Sequence, residues 1–190
     1  MPKQLNNVQR IQQYLKKIYR LLNEQIFDSQ LDDVQVVLSN NSRVYGYYTT
    51  NNSTWTGKRS NGDELSYHEI GISSQYLATR DITEVVATLA HECVHHLLTL
   101  QNIKHCSRGG QYHSKKFAAC AIEHGLVVEY DQRIGYAITS CGDRLLQFCI
   151  DNDLQDIIHL NIPVVYDNTE KPCLSLDKNI CDESVVLFTR

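Results

Sequence analysis

An α+β domain is the fold the sequence predicts, and three observations predict it. A long amphipathic helical stretch opens the chain, and short β-favouring runs follow, set apart by Asn, Ser and Gly clusters. Two further helical stretches come after them, the first carrying His91-Glu92-Cys93-Val94-His95. The chain's 190 residues suffice for one principal domain with a real core and a small appendage.

The first stretch places Leu5, Val8, Ile11, Leu15, Ile18, Leu22 and Ile26 at threes and fours, with Gln, Lys and Arg between them. That spacing lines one helix face, so residues 5–27 predict a helix covering a sheet. Val34–Leu38, Arg43–Thr50 and Leu65–Ser73 predict strands of a small antiparallel sheet, separated by Asn40-Asn41-Ser42 and Asn61-Gly62-Asp63. Gly46, within a tyrosine-rich run, marks a bulge, a close approach by another backbone, or merely a weak point in its strand. Trp55 falls with Lys58 and Arg59 in a polar loop, where an aromatic beside cations can touch substrate or nucleic acid, although loop charge is usually just solvated.

Asp81-Ile82-Thr83-Glu84 has the form of a helix start, an acceptor followed by Glu three residues on. From Ile82 a broad apolar stripe runs through Val85, Val86, Leu89, Ala90, Cys93, Val94, Leu97 and Leu98. Glu84, Thr88, His91, His95 and Thr99 line a narrower polar one, so both motif histidines share a polar face, with Glu92 one step round. Residues 101–111 have loop composition. Helical character returns over residues 112–125, closed by Gly125, which puts His113 at the start of a second helix and Phe117 one turn later. Leu126–Tyr130 and Gly135–Thr139 predict short strands, and Asp143–Leu154 a helix. From Asn161 onward the pattern loses order, with Pro163 and Pro172 as breaks.

Composition narrows the function. A net charge of −4 with 21% charged residues excludes a uniformly basic nucleic-acid binder. The start of the chain has no apolar signal core and no later run reaches membrane-spanning length, so a cytoplasmic protein without membrane attachment is expected. The seven cysteines include no C-x-x-C pair, and Cys93, Cys120 and Cys149 sit in apolar helical stretches; free thiols are expected rather than disulfides.

The central motif has its own chemistry. Histidines at i and i+4 on a helix point the same way and can ligate one tetrahedral Zn²⁺, and a carboxylate between them is placed to take a proton from water that the metal activates. A motif this short arises by chance in roughly one or two chains per hundred of such composition. Its context therefore matters. The metzincin continuation would need Gly and His where this chain has Leu98 and Gln101. Glu123 and His113 both stand as third ligands. His96 turns about 100° from His95, His105 lies in the loop, and His124 adjoins a helix end.

With these elements in this order, the sequence resembles the SprT-like zinc metallopeptidases. The likeness spans residues 5–125 and rests on the first helix, the strands around Gly46 and Ile70, the His91–His95 motif and His113-Ser114-Lys115-Lys116-Phe117. Ser114 stands where many members carry Gly. The resemblance implies a zincin-like fold, with residues 1–130 as the metallopeptidase domain and 131–190 as a small C-terminal extension packed on it. It favours His113 over Glu123, and so one Zn²⁺ held by His91, His95 and His113. It implies Glu92 as general base in hydrolysis of a protein or peptide substrate, and in some members action on DNA-associated proteins. Cys141, Cys149, Cys173 and Cys181 are too widely spaced for the zinc ribbon that many members add.

Tyr112 is the candidate donor to the developing oxyanion, against the plainer reading of a packing tyrosine. Lys104, Arg108, Lys115 and Lys116 form a candidate rim for DNA or an acidic substrate. The rival function is a zinc-stabilised binding or adaptor module without proteolysis. Glu92 argues against it, since a structural zinc has four closed protein ligands.

Overall fold

A computed structural model describes residues 8–49, 55–58, 61, 63–77, 79–154 and 185–188. Leu5, Arg59, Gly62, Pro163, Pro172, Cys173 and Cys181 lie outside the described residues. The first helix, α1 (Val8–Gln25), buries Ile11, Leu15, Ile18, Tyr19 and Leu22, the face its periodicity predicts. It covers β1 (Val34–Ser39) and touches the motif helix.

Two mixed sheets flank that motif helix. In the first, the order is β1, β4 (Glu64–Ser73), β2 (Gly46–Thr49) and β9 (Val185–Phe188), with β3 (Trp55–Lys58) also pairing β4. The expected all-antiparallel sheet is corrected here: β1 pairs β4 in parallel, while β2 and β3 pair it antiparallel. The cause is topological. β4 enters between β1 and β2, which run in opposite directions, so it must lie parallel to one of them. The stretch expected as a polar loop is likewise β3, where exposed Trp55 donates its indole N–H to Glu69 Oε2 at 2.6 Å. The second sheet has the order β5 (Cys106–Ser107), β6 (Tyr112–His113), β8 (Gly135–Cys141), β7 (Leu126–Asp131).

The motif helix α2 (Ile82–Leu100) lies at the centre, against both sheets and against α1, α3 (Lys115–Glu123) and α4 (Asp143–Asp151). Every residue from Val85 to Leu98 is buried. The polar stripe of α2 is thus interior, and its groups need partners or a function. Among the described residues, no helix is long and apolar enough to cross a membrane.

Asp81 starts α2 as predicted: its Oδ1 accepts from Glu84 N at 3.0 Å, and Glu84 reaches back to Asp81 N at 3.3 Å. The Thr83 hydroxyl and the Glu84 N–H hold the Asp81 carboxyl below its ordinary value of 3.8. A depressed carboxyl contributes stability that is complete above the unfolded value and is lost as pH falls through the folded one. Asp81→Ala is therefore expected to lower stability by about 0.5–2 kcal/mol in urea unfolding at neutral pH. The gap to wild type should narrow in acid; a gap that widens there would contradict the cap's ionic character.

Candidate metal centre

Three imidazoles converge where α2 faces the second sheet. His91 and His95, one turn apart on α2, present Nε2 atoms 3.1 Å from each other. His113 Nε2 completes the triangle, 3.2 Å from His91 and 2.9 Å from His95. All three side chains are fully buried. The Phe117 ring lies beneath them, with centroids 4.6, 4.6 and 4.5 Å from the rings of His91, His95 and His113.

His113 arrives from a strand, not from the start of α3 as expected. Its N–H donates to Ile134 O at 3.0 Å, and the N–H of Ser114, the N-cap of α3, donates to His105 O at 2.9 Å. The hairpin and β8 hold this backbone before the helix begins. Gly135 makes the fit possible, since a Cβ there would stand 2.2 Å from His113 O and the residue sits at φ +66°.

Two of the outer ring nitrogens have neighbours. His91 Nδ1 lies 2.9 Å from Thr139 Oγ1 and His95 Nδ1 lies 3.9 Å from Cys106 Sγ, while His113 Nδ1 is buried with no hydrogen-bond partner among the described residues. With Nδ1 carrying the proton, each Nε2 is a bare lone pair aimed at the common centre. Burial pushes the His91 and His95 imidazoles well below their usual range and His113 down to about 3, assisted by neighbouring histidines. The rings are therefore neutral. Three lone pairs facing one another repel, whereas a tetrahedral ion with nitrogens at about 2.0–2.1 Å would set them roughly 3.3 Å apart. His91, His95 and His113 form a buried group that can hold a metal ion.

Glu92, between His91 and His95 on α2, is fully buried, and among the described residues neither carboxylate oxygen has a hydrogen-bond partner. Burial pushes its carboxyl well above the ordinary range. Thr88 donates to Glu84 O and accepts from Arg80, and His96 Nδ1 meets the Tyr19 hydroxyl at 3.2 Å, while His96 Nε2 is, like the Glu92 oxygens, buried without a hydrogen-bond partner among the described residues. Glu92 is the group here that can carry a negative charge, and a buried carboxylate without a partner costs several kcal/mol.

Gly46 adjoins this carboxylate. A Cβ there would stand 2.8 Å from Thr88 Cγ2, 3.1 Å from Glu92 Oε1 and 3.2 Å from Gly71 O. Of the readings open in sequence, a close approach is observed, but its nearest atoms are side chains of α2, with the Gly71 backbone third at 3.2 Å. Thr88 is β-branched on a buried helix and cannot swing aside. Gly46→Ala is expected to cost about 1–3 kcal/mol in denaturant unfolding; unchanged stability would show that the strand and helix can part freely.

The other candidates lie elsewhere. Glu123 is exposed and, with His124, Cys120 and Lys116, lines a cleft of about 440 Å³ between the ends of α1, α2 and α3. His124 Nδ1 lies 2.7 Å from the Cys120 carbonyl oxygen, and its ring stacks on Phe27. Tyr112 leaves β6 on the face opposite His113, packs against the position of Gly135 and lies under the Arg108 guanidinium at 4.8 Å. Arg108 also donates to Arg133 O, and Lys115 and Lys116 are exposed while Lys104 is exposed in the loop before β5. Sequence reasoning missed Thr139 and Cys106; neither carries a local signal, because strand pairing alone brings them to the histidines.

One family model, described as the SprT-like family, matches residues 15–138. No curated protein and no solved structure matches significantly.

Proposed function

The chain belongs to the SprT-like family, and on that premise we propose that it is a zinc-dependent peptidase in which His91, His95 and His113 hold the ion and Glu92 is the general base. The ion, when bound, supplies Lewis-acid chemistry that polarises a peptide carbonyl and acidifies water. Glu92 takes the proton from water as it attacks and delivers it to the leaving amide nitrogen. Thr139 and Cys106 orient His91 and His95 through their outer nitrogens. Phe117 closes the floor against water. Gly46 leaves open the space beside the Glu92 oxygens.

The observation that carries this reading is Glu92, set between His91 and His95 on α2 and fully buried, with both oxygens unpartnered among the described residues. A binding or adaptor module with a structural ion gains nothing from such a group and would bear its cost. Incubating the zinc-loaded chain with an unfolded protein substrate is the test. Cleavage that a chelator stops and zinc restores is expected; an intact substrate beside a fully loaded chain would favour the adaptor.

The lysines Lys104, Lys115 and Lys116 support extending the reading to substrates carried on DNA. Binding of a fluorescent duplex should weaken as salt rises, and replacing all three lysines by Glu should flatten that slope by about 0.9 for each phosphate no longer neutralised. Salt-insensitive or absent binding removes DNA from the proposal.

A further inference from the structure

His95 has a second side. Its Nδ1, turned from the triad, lies 3.9 Å from Cys106 Sγ, and its ring centroid is 5.1 Å from that of His105. His105 is buried, and its Nδ1 meets Ile103 O at 2.8 Å. A carbonyl can only accept, so Nδ1 carries the proton and Nε2 is left as a bare lone pair. That Nε2 is buried and has no hydrogen-bond partner among the described residues. One ligand atom from each of His95, His105 and Cys106 lies within 4.8 Å of the others.

We propose that His105 Nε2, Cys106 Sγ and His95 Nδ1 form a second site, for a thiophilic metal ion such as Zn²⁺, joined to the first centre through the His95 ring. Two features of the fold support it. Cys106 stands opposite His113 across the β5–β6 pair, so the hairpin that delivers His113 also turns the thiol toward His95. Cys106 is half-buried, which gives an ion a path from solvent to a pocket whose other two ligands are interior. One nitrogen and one sulfur ligand beyond the bridge suit zinc, cadmium or cuprous ions and not the hard cations. Binding is an exchange without redox change: the Cys106 thiol proton and the His95 Nδ1 proton pass to solvent as the two metal bonds form. His95 thereby becomes a shared ligand, and the first centre becomes responsive to excess metal.

Cadmium titration of the full chain, preloaded with one equivalent of zinc, tests this. The ultraviolet band of a cadmium–thiolate bond should rise with the next equivalent. Cys106→Ser and Cys106→Ala should both abolish the band, and His105→Ala should weaken cadmium binding by roughly tenfold or more. His113→Ala should keep it, because the second site does not use His113, so failure of the peptidase reading leaves this one standing. No band in wild type, or a band unchanged in both Cys106 variants, would overturn the second site.

Discussion

Glu92→Gln is expected to leave the fold and bound metal in place while lowering peptide hydrolysis by roughly 10²–10⁴-fold. The prediction follows from what Glu92 lacks. With no hydrogen-bond partner among the described residues, its carboxylate holds nothing together that the amide would release. The amide keeps the shape next to Gly46 and cannot take up a proton. The buried ionisable group also disappears, so the variant should melt at or above the wild-type temperature. Activity, metal content and melting measured together decide the matter. Activity at the wild-type level would remove Glu92 as base, whereas lost metal or collapsed folding would recast it as a structural residue.

Removal of the metal should have the largest effect on stability. Stripped of a cation, the centre keeps three neutral rings with their Nε2 atoms 2.9–3.2 Å apart inside a buried pocket. An ion present at about a thousand times its dissociation constant stabilises the fold by about 4 kcal/mol. For a chain of this size that corresponds to a fall of roughly 10 °C in melting temperature on chelation. His113→Ala should show little of this difference, since it removes one of the three ligands, while Glu123→Ala should show all of it. A melting temperature indifferent to chelator in wild type would mean that the triad binds nothing of consequence.

Local physics made much of the site legible. The Asp81 cap and the stripe that buries α2 depend on interactions within a few residues, and both appear as the sequence predicts. His113 was harder, because Glu123 lies on an equally plausible helix. A resemblance favoured His113, and the fold explains why: a two-residue strand, locked by Ile134 O, carries it to α2, while Glu123 faces solvent. Thr139, Cys106 and the parallel pairing of β1 with β4 depend on which distant strands meet, which periodicity does not encode. Tyr112, adjacent to His113 in sequence, stands on the other face of the same strand, with its ring against the position of Gly135 and under Arg108.

X-ray absorption on the purified chain loaded with one equivalent of zinc tests the central claim most directly. Three imidazole nitrogens at about 2.0–2.1 Å and a single further light atom are predicted, with one imidazole lost in His113→Ala. A sulfur in the shell at that loading, or a shell unchanged by His113→Ala, would contradict the assignment of His91, His95 and His113.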